Sequence, residues 1–289
     1  MREKFSSAMP DWLVDRLDIA ARCVNDPTPL SVEGPLFLGV DLGTSDVVSI
    51  VLDADLMPIA VCLEWADVVR DGVVFDFHGA VSIIRRQLAM LEGKLGHSFT
   101  EASTSFPPGT DPRISVNVLE AAGLNVTALI DEPSAVARLL KLDRAAVVDI
   151  GGGTTGIAVL QGGDVVYSGD EATGGHHVSL TLAGSRRISL EAAEALKRAD
   201  GASVWPTVRP VFEKMADIVR LHLAGHEVDS IYLSGGSCTL PEVGELFSHE
   251  FPGHRVAVPH HPIFFTPFAI AAACGKGEIN SITEQCLSW

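Results

Sequence analysis

The sequence predicts an α/β protein of two similar lobes, each a mixed sheet with helices. Three observations predict it. Apolar stretches with strand alternation follow one another through short turns, the pattern of an antiparallel meander. Strand and helix patterns then alternate, which implies parallel strands covered by helices. The series begins again near residue 145, opening each time on a strand that ends in an aspartate and a glycine bend.

In order along the chain, residues 10–24 read as a short helix. Leu13, Leu17, Ala21 and Val24 share one face, and Asp11 can cap the start. The Pro-rich stretch 26–35 reads as a linker. Strands are expected over 36–41, 47–52 and 59–65. A helix is expected over 79–94, where Val81, Ile84, Leu88, Leu91 and Leu95 keep helical spacing. Then 102–106 and 126–131 read as strands, and 112–122 and 133–140 as helices. In the second half the strands are 145–149, 156–160, 165–168 and 231–234. Helices are expected over 176–182, 190–197 and 208–223, with another following Pro241. The expected division is a helix and linker over 1–35, lobes over 36–144 and 145–275, and a loose polar tail over 276–289.

The 289 residues carry 37 acidic and 21 basic side chains, a formal net charge of -16. Such acidity opposes nonspecific binding to nucleic acid or an anionic membrane surface. It also means that a bound phosphate must be held by backbone N–H groups and a metal ion, because lysines are scarce. Cys23, Cys62, Cys238, Cys274 and Cys286 have no zinc-ligand spacing, and the odd count argues against a disulfide framework. Reduced thiols in the cytoplasm are the expectation. The acidic N-terminus, broken by Pro10, does not read as a signal peptide, and no apolar run approaches the length of a membrane helix.

The internal repeat carries the chemistry. Leu38-Gly39-Val40-Asp41-Leu42-Gly43-Thr44-Ser45 matches Val147-Val148-Asp149-Ile150-Gly151-Gly152-Gly153-Thr154-Thr155. A carboxylate at the end of a buried strand is costly unless something charged uses it. The glycines let the backbone bend so that several N–H groups point at one anion, and Thr44, Ser45, Thr154 and Thr155 can add donors. Two such bends from two lobes would grip a polyphosphate from both sides, with Asp41 and Asp149 holding Mg²⁺ directly or through water. The Gly151–Gly156 stretch also fits a dinucleotide fingerprint, but the residues after it alternate into a Gly162-Gly163 turn rather than opening a helix. No P-loop pattern is present.

With those bends in view, the chain resembles the actin and DnaK-type heat-shock chaperone ATPase superfamily. Residues 39–45 resemble its first phosphate motif and 149–155 its second; 131–137 resemble the first connecting helix and 267–275 the second. Leu233-Ser234-Gly235-Gly236-Ser237 resembles its adenosine motif. The resemblance implies a two-lobed, actin-like ATPase (ribonuclease H-like) fold with ATP or ADP and Mg²⁺ between the lobes. By the same resemblance Asp41 and Asp149 would order the metal and its waters, and Glu132 would orient the attacking water or accept its proton. Thr154 would bind the γ-phosphate, Gly43, Thr44, Ser45, Gly151, Gly152, Gly153 and Thr155 would cradle the phosphates, and Gly235, Gly236 and Ser237 would face the adenosine. Over nearly the whole length, on 65–72, 105–115 and 171–184, the chain is also similar to the chaperone-like accessory family of bacterial ethanolamine utilization. That similarity implies a pathway enzyme or a microcompartment shell protein as partner.

Two departures shape the functional expectation. Lys94 is the only lysine between Asp41 and Phe106, and it reads as a solvated residue of the long helix, so no lysine stands near the γ-phosphate. The segment from Asp149 to Gly235 is short, so the small subdomain over the adenine reads as missing. The expectation is Mg-ATP binding with slow or no hydrolysis. A non-enzymatic adaptor on a degenerate ATPase fold, or a small-molecule kinase, are the alternatives. His176-His177 and His260-His261 read as packing or hydrogen-bonding residues rather than metal ligands, because adjacent side chains point in different directions.

Overall fold

The computed structural model describes residues 9–70 and 73–274. The expected tail over 276–289, Cys286 and part of the 65–72 stretch lie outside them.

The first half opens with α1 (Asp11–Arg22) and an antiparallel meander of β1 (Phe37–Leu42), β2 (Asp46–Leu52) and β3 (Pro58–Trp65). A two-residue hairpin, β4 (Val69–Arg70) with β5 (Val73–Val74), precedes the long α2 (Phe77–Leu95). Then β6 (Glu101–Phe106) joins β1 in parallel, α3 (Arg113–Ala122) crosses over, and β7 (Asn125–Asp131) joins β6 in parallel. The sheet order is β3-β2-β1-β6-β7.

After α4 (Glu132–Leu140) the series repeats. Strands β8 (Ala145–Ile150), β9 (Thr155–Gln161) and β10 (Asp164–Glu171) form the second meander. Helices α5 (Gly175–Arg186), α6 (Leu190–Ala199) and α7 (Gly201–Leu223) follow. Strand β11 (Ser230–Ser234) lies parallel to β8, and after α8 (Val243–Glu250) strand β12 (Arg255–Ala257) lies parallel to β11. The order is β10-β9-β8-β11-β12, the first sheet's topology written again. Every residue of β8 is buried, as a central strand covered on both faces requires, whereas the edge strand β10 exposes alternate positions.

The closing helix α9 (Phe265–Cys274) falls in the second half of the sequence but packs on β1 of the first sheet. Gly39 makes that approach possible, since a Cβ there would stand 2.6 Å from the Ala271 backbone nitrogen. Eight of its ten residues are buried, so the helix has no solvent stripe. Leu13, Leu17, Ile50, Val136, Val147 and Phe268 share one core cluster, so α1, α4 and α9 join the two sheets through apolar contact.

The structure corrects several sequence expectations. Asp11 lies in the first turn of α1 and makes no cap hydrogen bond; Pro10 occupies the cap position. Helix α7 starts at Gly201 rather than near 208, because the Asp200 side chain accepts from the Ser203 amide and caps it. It then continues through Pro206 and Pro210, held by Val204, Val208, Phe212 and Met215, all fully buried. Lys94 is not solvated: its side chain is 6% exposed and its ammonium donates to Asp26 Oδ2 at 2.6 Å and to the Asp26 carbonyl at 3.1 Å. It therefore ties α2 to the linker. The hairpin of β4 and β5 and the short β12 carry too few residues to show a periodicity.

Candidate functional site

Strands β1 and β8 are topological equivalents, and Asp41 and Asp149 are each the last residue but one of their strand. The chain leaves both strands through a glycine bend, and the two bends meet. A Cβ on Gly152 would collide with the Ser45 hydroxyl and lie 3.0 Å from the Ser45 amide nitrogen. A Cβ on Gly153 would be 2.6 Å from Thr44 Oγ1. Only residues without side chains let the two halves approach this closely.

Between the bends lies a cleft of about 550 Å³, part of it open to solvent. Asp41, Asp46, Glu132 and Asp149 line it, together with Gly43, Thr44, Thr154 and the three glycines 151–153. Gly235 and Gly236, from the turn after β11, close one side. Gly235 has φ +90°, and a side chain there would run into the Asp149 carboxylate. The second bend is braced from behind. The Gly175 amide donates to the Gly151 carbonyl at 2.9 Å and the His176 amide to the Gly152 carbonyl at 2.7 Å. His176 thus contributes its backbone at the start of α5.

Four acidic groups line the cleft and a fifth, Asp170, stands just behind it; each is pushed above the ordinary carboxylate range. Burial is the largest cause in every case. Asp41 rises to about 7, with Asp149 and Asp46 adding repulsion and a 2.9 Å hydrogen bond from Ser105 Oγ opposing. Asp46 rises to about 7, raised further by Asp149 and drawn back by Arg198. Glu132 rises well above its usual value, with Asp41, Asp149 and Asp170 as additional causes. Asp149 is raised by burial despite hydrogen bonds from Thr266 and Ser234. Asp170, also at about 7, has one carboxylate oxygen buried without a hydrogen-bond partner. Such a cluster calls for a cation. Among the described residues no three His, Cys, Asp or Glu side chains are set to chelate a metal directly. A divalent ion would therefore keep much of its water shell.

The residues singled out from sequence divide into three groups. Asp41, Gly43, Thr44, Glu132, Asp149, the glycines 151–153, Thr154, Gly235 and Gly236 come together around the cleft. Ser45 and Ser237 face a neighbouring cavity instead; the Ser237 hydroxyl donates to the Gly151 carbonyl at 2.9 Å. Thr155 is excluded from both. It is fully buried, and its hydroxyl donates to the Thr173 carbonyl at 2.6 Å, so it has no proton to offer a phosphate. Sequence reasoning missed Asp46 and Asp170. Asp46 directly follows the first bend's hydroxyls, so its place was visible there; Asp170 is brought in only by the return of β10 alongside β9.

The neighbouring cavity shares Asp46, Gly152, Gly236 and Ile263 with the cleft. It holds about 470 Å³ and is walled by Glu194, Lys197 and Arg198 of α6 and by Trp65 of β3. Lys197 is fixed by donating to Gly175 O at 3.0 Å, Ser179 Oγ at 2.8 Å and Glu194 Oε1 at 2.9 Å. Burial draws its pKa down. The triplet Glu194, Lys197 and Arg198 has ordinary helix-surface spacing, which gave no sign of this role.

Comparison with known proteins decides the family. The chain is 62% identical over 262 residues to "Ethanolamine utilization protein EutJ" of Escherichia coli (strain K12), covering 91% of this chain and 94% of that protein. This chain belongs to the EutJ family. The EutJ protein of Salmonella typhimurium (strain LT2) is 60% identical over 90% of this chain and 93% of its own length. The crystal structure of EutJ from Carboxydothermus hydrogenoformans superimposes with a TM-score of 0.85 at 41% identity, covering 90% of this chain and 98% of that one. The family models of "Cell division protein FtsA" and "MreB/Mbl protein" match residues 146–273 and 63–184. A crystal structure of MreB5 of Spiroplasma citri bound to AMPPNP gives a TM-score of 0.64 at 17% identity, covering 88% of this chain and 99% of that one, which is a likeness of fold alone. The EutJ fold is accordingly that of the actin-like ATPases. Among the described residues of this chain, no helix is long and apolar enough to cross a membrane.

Proposed function

We propose that the protein binds a magnesium–nucleoside triphosphate between the two bends and serves ethanolamine utilization as a chaperone-like accessory factor with slow or no hydrolysis. The observation that carries this reading is the meeting of two equivalent glycine bends over a cluster of carboxylates whose pKa values burial and neighbouring acids raise. A site built only for stability would not gather Asp41, Asp46 and Glu132 around Asp149, which raises the cost of ionising all three. Asp41 and Asp149 would hold Mg²⁺ through its waters, and the ion would neutralise the triphosphate's charge. The Thr154 hydroxyl and the amides of the second bend would donate to phosphate oxygens. Glu132, once ionised, would accept a proton from a water aligned on the terminal phosphate. The bound nucleotide would set the spacing of the two lobes, and an exposed surface would engage an ethanolamine-pathway enzyme or a microcompartment shell protein in the cytoplasm.

A second reading, an adaptor that senses nucleotide without turning it over, is favoured by Lys94. This lysine is bound into the Asp26 ion pair and cannot serve the terminal phosphate. Titration calorimetry with ATP, with and without Mg²⁺, tests the first claim, and no heat at millimolar ATP would sink it. Asp149→Asn is expected to weaken binding at least ~10-fold, the loss of about one charge-assisted contact. Glu132→Gln is expected to keep binding and lose any turnover. Unchanged hydrolysis in both variants would refute the assigned roles. Binding in the wild type with no phosphate release would establish the sensor.

A further inference from the structure

We propose that Trp65, contributed by the first lobe, is the stacking platform for the base of the bound nucleotide, at the mouth of the cavity that Gly236 and Ser237 line. This inference rests on the nucleotide reading above. The cavity adjoins the cleft through Asp46, Gly152, Gly236 and Ile263, so a ligand with phosphates between the bends extends directly into it. Trp65 is the last residue of β3 and pairs across the sheet with Asp46 of β2, which places the indole at the mouth where cleft and cavity join. Trp65 is 46% exposed, so a face of the indole is open to a ligand.

The indole already has a stacking partner. The guanidinium of Arg198, on α6 of the second lobe, stands 4.4 Å from the ring centroid. That cation–π contact is of the kind a flat, electron-rich base can replace. Arg198 is free to yield because its ion pair with Glu194 is long, 3.7 Å, whereas neighbouring Lys197 is tied by three hydrogen bonds. At 4.4 Å no base fits between guanidinium and indole, so entry must displace Arg198 from the ring or part the two lobes. Because Trp65 and Arg198 belong to different lobes, the stacked base becomes part of what fixes their separation. A broad indole platform favours purines over pyrimidines by stacking area.

Calorimetry on the full chain with two probes, Mg-ATP and Mg-tripolyphosphate, tests the assignment. Trp65→Ala is expected to weaken Mg-ATP about 5- to 150-fold, the range of one base–aromatic stack, and to leave tripolyphosphate affinity unchanged. Trp65→Phe is expected to restore most of the ATP affinity. Because the side chain is half exposed, its truncation opens no core cavity. Equal ATP affinity in Trp65→Ala overturns the platform and leaves the phosphate site standing. Parallel loss of both probes also overturns it, since Trp65 would then only hold the lobes together. A wild type that binds neither probe removes the nucleotide reading and the platform with it.

Discussion

Glu132 lies in the first turn of α4, where the helix N-terminus favours an ionised carboxylate by about 0.3–1 kcal/mol. Its pKa is nevertheless driven up, by burial first and then by Asp41, Asp149 and Asp170. Desolvation and four acidic neighbours, Asp131 being the fourth, outweigh one helix end. The consequence for stability has a definite sign. Asp41, Asp46 and Asp170 titrate near 7 in the folded protein and near 4 in the unfolded chain. Between those values the native state holds more protons than the unfolded one, so stability falls as pH rises through that window. Thermal unfolding in metal-free buffer should therefore show a Tm that drops from pH 5 to pH 8 by at least ~2–4 °C, the shift expected per 1 kcal/mol for a chain of this size. Asp46→Asn should flatten the profile, and Mg²⁺ should raise Tm more at pH 8 than at pH 6. A Tm that climbs with pH across this interval would count against the protonated cluster.

Elements are placed by what they lack as much as by what they carry. Helix α9 reaches β1 because Gly39 has no side chain to meet Ala271. Gly39→Ala should cost about 1–3 kcal/mol in urea unfolding, the usual penalty for overpacking a close-packed contact. Helix α7 is the counterpart case. Pro206 and Pro210 remove amides from its ladder, and local preference alone would start it later. Burial of Phe212, Met215 and Val219 holds the helix in place, and the Asp200 cap fixes its start. Asp200→Ala should lower stability by about 0.5–2 kcal/mol without altering nucleotide affinity. A loss of affinity there would mean that the start of α7 bears on the neighbouring cavity.

At the scale of the whole molecule, one sheet topology appears twice, and the apolar cluster around Phe268, Val136 and Val147 joins the copies. Helix α9 of that cluster packs on β1, and its Thr266 donates to Asp149 near the end of β8, so the spacing of the bends and the packing of α9 are one mechanical problem. A ligand spanning the bends stabilises the joined state by mass action, about 2.7 kcal/mol at a hundred times its Kd, which thermal shift with Mg-ATP reads directly. The Lys94–Asp26 pair acts elsewhere. Asp26 is held down to about 2, chiefly by the hydrogen bond from Lys94. The stability this pair gives is present above the unfolded carboxylate range and is lost as pH falls toward 2. Lys94→Ala should lower Tm and leave Mg-ATP affinity as it was; a lost affinity would return this lysine to the phosphate site.

The sequence by itself determined the duplicated series of strands and helices, the two bends and the place of Asp41 and Asp149, because these are local facts. Apolar period, a strand-end carboxylate and glycine where the backbone must turn tightly are all written within a few residues of one another. Only the tertiary structure decided the rest. It put α9 on the sheet of the other half, spent the Thr155 hydroxyl on a backbone carbonyl and buried Lys94 against the linker. It also brought Asp170, Trp65 and the α6 triplet to the cleft and its neighbouring cavity. Each of these depends on which distant surface a residue meets. A burial that depends on chain segments far apart in sequence leaves no periodicity to read.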